Sequence, residues 1–367
     1  MPMKAIVLAG GYATRLRPIS YALPKLLFPV LGKPMIYWTL DLLSDYGVDE
    51  VVLCVNYLAD SLRSAVGDSY RNMSIRYSLE ETPLGTGGPM KLAAETVHFD
   101  QTFVAMNGDV IADIDLTKMR ERHDRTNARV TDALHEVQDV RRFGVAQLDS
   151  ESRITKFVEK PSAKEAPSRL ANAGIYMISP EVLKMIPSGR KVSLEREIFP
   201  VLAREGKLTG FSFSGHWFDI GDLTDYRRAN IRLLKDRAGK SPLIEKDAIV
   251  EKSAVLGKPS FVGEGAKIES RASVGSGTLI GKNSLIMTGA RVSNSILFDD
   301  VKIGEGSVVS GAIVASSVTL GRKVRVQAGS ILSPHVQIAD GVRIGRNVIV
   351  HPHKEVNVNI KSGSHIM

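Results

Sequence analysis

The sequence predicts two architectures in series: an α/β domain with a largely parallel sheet over residues 1–235, and a parallel β-helix of hexapeptide repeats over residues 236–367. Two observations carry this. In the first part, short apolar runs alternate with amphipathic stretches, the pattern of strands separated by helices. In the second, one aliphatic residue recurs every six positions, a period that belongs neither to a helix nor to an ordinary strand. A hydrophobic content of 43% and a charged content of 24% allow both parts to fold around apolar cores.

In the first part KAIVLAG reads as a strand ending in glycines, and MIYWTLDLLSDYG as a helix closed by Gly47. EVVLCVN, LADSLRSAVG and MSIRYSLEE continue strand, helix, strand; PMKLAAETV and TFVAMNGDV add a helix and a strand. Sheets of this kind bind ligands beyond the carboxyl ends of their strands. The charged helix and linker RRANIRLLKDRAGKSP mark the boundary. Beyond it, Ile244, Val250, Leu256, Val262, Ile268, Val274, Ile280, Ile286 and Val292 keep the six-residue period, which resumes from Val314 to Val356. A glycine often follows the aliphatic, as in Val262-Gly263 and Ile344-Gly345, where the coil must turn a tight corner. The slip over Ser293–Val301 predicts a loop leaving the coil.

Composition excludes several classes. The lone cysteine, Cys54 in VVLCV, forms neither an internal disulfide nor a zinc site and reads as a small buried hydrophobe in a reducing compartment. The net charge of +8 suits anionic small molecules, and without a Lys/Arg block no nucleic-acid partner is expected. The apolar run in MPMKAIVLAGG is too short for a signal-peptide core, and no stretch approaches the ~18–20 apolar residues of a membrane helix. A cytoplasmic chain with no membrane partner is the expectation.

Residues 8–25, LAGGYATRLRPISYALPK, carry the chemistry. Gly10 and Gly11 let the main chain approach a phosphate or a base closely. Arg15 can fork two hydrogen bonds onto phosphate oxygens, and Lys25 adds a compact charge. The pattern is neither GxxxxGK[ST] nor GxGxxG. It resembles the signature of the sugar-1-phosphate nucleotidyltransferases, GGxGTRLRPLT with PKP downstream, with Ala13 in place of a glycine and Leu26 in place of a proline. With the hexapeptide tail, the chain is most similar to the mannose-1-phosphate guanylyltransferase branch.

The resemblance implies a Rossmann-like nucleotidyltransferase domain followed by a left-handed β-helix. It implies catalytic roles for Arg15 and Lys25, and nucleotide binding by Leu8, Ala9, Gly10 and Gly11 together with Leu84, Gly85 and Thr86 of LGTGGPMK. Asp109 of NGDV and Asp219 of WFDIGD would hold Mg²⁺. Gly144, Glu159, Lys160, Asn172 and Gly174 would bind the sugar phosphate. Read alone, the aspartates are loop or cap residues, and Glu159 and Lys160 are a charge pair on opposite faces of a strand. Asp222 has no assigned role. Ser193 reads as the cap of SLEREIF more than as part of the chemistry.

The implied reaction joins a nucleoside triphosphate, nearest GTP, to mannose 1-phosphate, giving GDP-mannose and pyrophosphate. LGTG segments also occur in uridylyl enzymes, so the base stays open. Glucose 1-phosphate with UTP or dTTP is the first alternative. An acyltransferase using His335, His351 or His353 and a non-catalytic regulatory homologue are the others. Hexapeptide coils commonly associate, so a homo-oligomer is expected.

Overall fold

The computed structural model describes residues 3–367. The chain forms two compact units: residues up to Tyr12 with Met35–Asp219, and Ala13–Pro34 with Ile220–Met367. The short segment carrying Arg15 and Lys25 thus belongs with the coil.

The first unit is built on a ten-stranded mixed sheet. Its parallel centre comprises β1 (Met3–Leu8), β2 (Val48–Val55), β3 (Met73–Leu79) and β4 (Phe103–Asn107), in the spatial order β4-β1-β2-β3. Ala5–Val7, Val51–Val55 and Phe103–Met106 are buried on both faces, which is why these runs are continuously apolar. Helices α1 (Met35–Asp45), α2 (Ala59–Val66) and α3 (Gly88–Thr96) make the crossovers expected from the sequence. Strand β5 (Val110–Ala112) follows β4 directly. Strands β6 (Val130–Glu136), β7 (Gly144–Leu148), β8 (Ile154–Glu159), β9 (Leu170–Ile178) and β10 (Leu208–Phe213) extend the sheet beyond β4, with β9 antiparallel to β4. Strand β11 (Trp217–Asp219) pairs antiparallel with β5 in a separate two-stranded ribbon.

The second unit is a coil of three parallel sheets, with eight, seven and six short strands. The aliphatics of the six-residue series form its core: Val262, Ile268, Val274, Ile280, Ile286 and Val292, then Val314 through Val356. The expected loop at Ser293–Val301 is absent. Leu297, Ile303 and Val309 lie inside the same core, and the coil shortens there instead. Ile280 stacks on Leu297 and Leu297 on Val314, seventeen residues apart, where neighbouring turns take eighteen. A missing residue per turn shifts the sequence period without breaking the ladder.

One sheet of the coil is apolar on its outside as well. Phe261, Leu279 and Ile296 point away from the core, yet all are buried. Helix α4 (Leu223–Ala238) and residues 13–34 account for this, because both pack within this unit. The Phe28, Tyr226 and Phe298 rings meet edge to face at 5.5–5.8 Å, and a Cβ at Gly32 would strike the Phe261 ring. The Leu31 amide donates to Asn230 Oδ1 at 2.8 Å, and the Tyr226 hydroxyl donates to the Pro29 carbonyl. Asp222, given no role from sequence, caps α4 by accepting from the Thr224 and Asp225 amides at 2.8 and 2.9 Å.

Candidate active site

In the first unit, β1 delivers Leu8 and Ala9 to the carboxyl edge of the sheet. The Ala9 amide donates to the Cys54 carbonyl and the Gly108 amide to the Leu8 carbonyl, both at 2.9 Å. The second bond ties the glycine loop to the turn carrying Asp109. Gly11 sits at φ +119°, in the left-handed region that favours glycine. A Cβ on Gly10 would lie 2.6 Å from Glu80 Oε1, so any larger residue there would have to displace that carboxylate.

Glu80 is a residue the sequence reading missed. It is buried, its Oε2 accepts from the Leu84 amide at 3.1 Å, and burial pushes its pKa up, partly offset by that bond. It therefore links the glycine loop to the Leu84–Thr86 loop. The available signal was an acidic residue directly after the apolar-alternating strand MSIRYSL. Cys54 lies alongside, and burial, then the Glu80 charge, holds its thiol protonated. It is a core residue, as expected.

The Leu84–Thr86 loop is fastened from its far side. Val192 N donates to Leu84 O and Gly87 N to Val192 O, both at 2.9 Å. Gly85 has φ +81°, and a Cβ there would strike the Val192 carbonyl. Thr86 Oγ1 donates to Glu195 Oε2 at 2.7 Å and accepts from the Leu194 amide at 2.9 Å. Ser193 caps the π-helical turn Leu194–Ile198 as expected, and its hydroxyl also donates to Glu195 at 2.6 Å. Glu195 is thus a hub beside the loop, not only a helix-start residue.

Asp109 follows β4, and Asp219 ends β11. The β5–β11 pairing sets Asp219 opposite Val110, one residue from Asp109. The ribbon therefore brings together backbone positions 110 residues apart in sequence. The ribbon itself, with Trp217 opposite Ala112, makes the juxtaposition.

Glu159 closes β8 opposite Gly144 of β7, where any Cβ would collide with the Phe157 ring and lie 2.8 Å from Glu159 Oε2. Lys160 does not continue the strand, which corrects the expectation of opposite faces. It takes φ +51°, and its Nζ returns to 3.8 Å from Glu159 Oε1. Burial raises the Glu159 pKa, the Glu195 charge adds to this, and Lys160 opposes both. Asn172 is committed to its own strand: its Nδ2 donates to Tyr176 Oη at 2.9 Å and its Oδ1 accepts from Gly174 N at 2.7 Å. These bonds shape an irregularity in β9 that puts Gly174, φ +72°, against Asn107. Asp132, opposite Tyr176, was also missed. It is fully buried, neither carboxylate oxygen has a partner, and burial followed by the Glu195 charge pushes its pKa well up.

Arg15 and Lys25 lie in the second unit, on single 3₁₀ turns at Thr14–Leu16 and Lys25–Leu27. Ala13 precedes the first turn at φ 44°, ψ 42°. This left-handed conformation is one that glycine adopts without strain, in keeping with the glycine of the resembled signature at this position. The Arg15 guanidinium lies against Gly221, where a Cβ would be 3.1 Å from both terminal nitrogens. The glycine of Asp219-Ile220-Gly221 leaves room for it.

Residues 4–236 match the family model described as nucleotidyl transferase, and residues 256–366 match the GMPPB C-terminal domain. The chain belongs to the nucleotidyl transferase family. Its relatives include proteins named mannose-1-phosphate guanyltransferase. That of Yarrowia lipolytica is 37% identical over 244 residues, covering 65% of this chain and 66% of the relative. That of Emericella nidulans is 39% identical over 229 residues, covering 61% and 62%. The chain thus aligns with just under two thirds of these relatives' length. Among solved structures, HddC from Yersinia pseudotuberculosis is similar with a TM-score of 0.54 and 28% identity, covering 63% of this chain and 99% of that one. A second HddC structure, complexed with GMP-PN, gives 0.53 at the same identity.

Proposed function

We propose that the chain is a mannose-1-phosphate guanylyltransferase, converting GTP and mannose 1-phosphate into GDP-mannose and pyrophosphate. The observation that carries the reaction class is the bond from Gly108 N to Leu8 O, which joins the glycine loop to the Asp109 turn. The proposed triphosphate contacts and Asp109 thereby lie together beyond the carboxyl ends of the strands. Glu80 supports guanine. It offers an acceptor-only carboxylate between the two loops assigned to the nucleotide, and guanine is the base that presents two adjacent N–H donors on one edge. Uracil offers a single N3–H on that edge, flanked by carbonyl oxygens that a carboxylate repels. The guanyltransferase relatives point the same way.

In the proposed reaction an oxygen of the sugar phosphate attacks the α-phosphorus in line and pyrophosphate departs. Such transfers need positioning and charge neutralisation more than covalent help. Leu8, Ala9, Gly10 and Gly11 offer main chain to the nucleotide, and Leu84, Gly85 and Thr86 hold the base. Arg15 and Lys25 balance the triphosphate. Glu159 engages sugar hydroxyls, with Gly144, Asn172 and Gly174 shaping that pocket, and Lys160 receives the sugar phosphate. A phosphate oxygen is already ionised near pH 7, so no general base is required.

Asp109 and Asp219 suit Mg²⁺. That ion takes one or two carboxylates and completes its shell with phosphate oxygens and water. No group of three or more His, Cys, Asp or Glu residues able to hold a metal exists among the described residues. Once bound, Mg²⁺ supplies charge neutralisation at the phosphates. The histidines of the acyltransferase alternative make ring contacts: His335 and His353 stack at 4.7 Å on successive coil corners, and His351 stacks on Tyr21 at 5.8 Å.

We further propose residues 1–235 as the catalytic domain and 236–367 as an assembly domain forming a homo-oligomer in the cytoplasm. No helix among the described residues is long and apolar enough to cross a membrane. The reaction is tested by incubating the chain with GTP, mannose 1-phosphate and Mg²⁺ and identifying products by mass spectrometry. GDP-mannose with equimolar pyrophosphate is expected. No product here, alongside UDP-glucose from UTP and glucose 1-phosphate, would replace the guanylyl reading with the uridylyl one.

A further inference from the structure

The coil carries a groove of about 810 Å³ at one of its corners. Its floor arises from a column of stacked corner residues, all at positive φ: Arg271, Gly289, Gly306, Lys323 and Gly341. The amides of the last four donate to carbonyls in the preceding coils, which fixes the stacking. Two glycines between two long cations leave a notch in the side-chain column. Space beside Gly289 is open to 4 Å, and beside Gly306 only Lys323 Cγ approaches, at 3.8 Å.

The cations at the ends of the notch are out of keeping with the rest of the coil. Beyond residue 240, ten non-glycine residues have positive φ, and eight of them are Asp, Asn, Ser or His. These are short polar or ring side chains; Asn, Asp and His are the types most enriched in that conformation. The two exceptions, Arg271 and Lys323, both line the groove. Arg291 and Arg322 join them from the adjoining strand and corner. Arg322 is paired with Asp340 at 2.8 Å, while Arg271, Arg291 and Lys323 make no ion pair among the described residues. Glu305 and Asp340 are the acids in the lining, so the groove keeps a net positive charge.

Arg271 and Lys323 are three coil steps apart, about 14 Å at the ~4.8 Å spacing of paired strands. One phosphate does not fill that span, but a ligand with phosphates and a further body does. The volume also lies in the range of small-molecule sites, roughly 300–1,000 Å³.

We propose that this groove is a second anion site, which binds a small molecule bearing two or more linked phosphates. The inference rests on the coil alone and holds whichever sugar or base the chain uses. A nucleotide and free condensed phosphate share this chemistry.

Isothermal titration of the full chain with inorganic tripolyphosphate, and separately with GDP, tests it. Two classes of site are expected. Lys25→Ala should weaken one class. Arg291→Glu with Lys323→Glu should weaken the other at least tenfold while leaving turnover within about twofold, which also shows that the variant folds. Gly306→Lys should abolish the same class by filling the notch although it adds charge; tighter binding by this variant would show a mere surface charge effect and overturn the site. Identical isotherms for the wild type and the double variant would overturn it too. Binding of tripolyphosphate alone and not GDP keeps the site and assigns it to condensed phosphate. Arg291-dependent binding of poly-glutamate or RNA, without binding of either small ligand, would replace it with a macromolecular surface.

Discussion

Individual residues in the candidate site are held in conformations or environments that carry measurable costs. Ala13 occupies the left-handed region, so Ala13→Gly should stabilise the chain by about 0.5–1 kcal/mol in urea denaturation at unchanged m-value. Asp132 has its folded pKa raised above the unfolded value, near 3.9. The contribution of Asp132 to stability is therefore greatest below about pH 4 and falls as pH rises toward its folded pKa. Asp132→Asn removes that slope, and its Tm advantage over wild type should widen from pH 5 to pH 8; a constant difference would show that the carboxyl does not titrate in this range. Asp109→Ala should reduce kcat at least a hundredfold, because it removes a proposed Mg²⁺ ligand. Near-normal rates at saturating Mg²⁺ would remove Asp109 from the metal site.

At the scale of elements, the segment carrying Arg15 and Lys25 is fixed by helix α4 and the outer face of the coil. The Tyr226 hydroxyl holds Pro29, Asn230 holds the Leu31 amide, and Phe298 backs Phe28. Tyr226→Phe leaves the buried Pro29 carbonyl without its donor, a loss of about 1–3 kcal/mol. It should raise the KM for GTP several-fold and leave the KM for mannose 1-phosphate unchanged; equal effects on both would show a general loss of structure instead. Most elements were legible in the sequence, because strands buried on both faces and a six-residue coil leave strong periodic signals. The missed features are tertiary. The missing residue per turn near Leu297 looks like a loop because only the stacked neighbours Ile280 and Val314 reveal that the ladder continues. The return of Lys160 toward Glu159 depends on a single left-handed residue after the strand. Glu80 and Asp132 were passed over because one acidic letter in or after a strand does not disclose its burial.

For the whole molecule, residues 13–34 and 220–238 group with the coil in one compact unit. The motif LAGGYATRLRPISYALPK is contiguous in sequence but divided between units after Tyr12. Arg15 and Lys25, the proposed catalytic cations, therefore sit on a segment that packs within the unit of the coil. A proposed homo-oligomer should sediment well above the 40.0 kDa of one chain, and a monomeric mass at micromolar concentration would refute it. The proposed reaction pairs GTP with mannose 1-phosphate at this site. Its most direct test is the initial rate of pyrophosphate release across GTP, ATP, UTP and dTTP, each with mannose 1-phosphate and glucose 1-phosphate. GTP with mannose 1-phosphate should give the highest kcat/KM, and Glu80→Gln should lose that preference. A higher kcat/KM for UTP or dTTP with glucose 1-phosphate would contradict it.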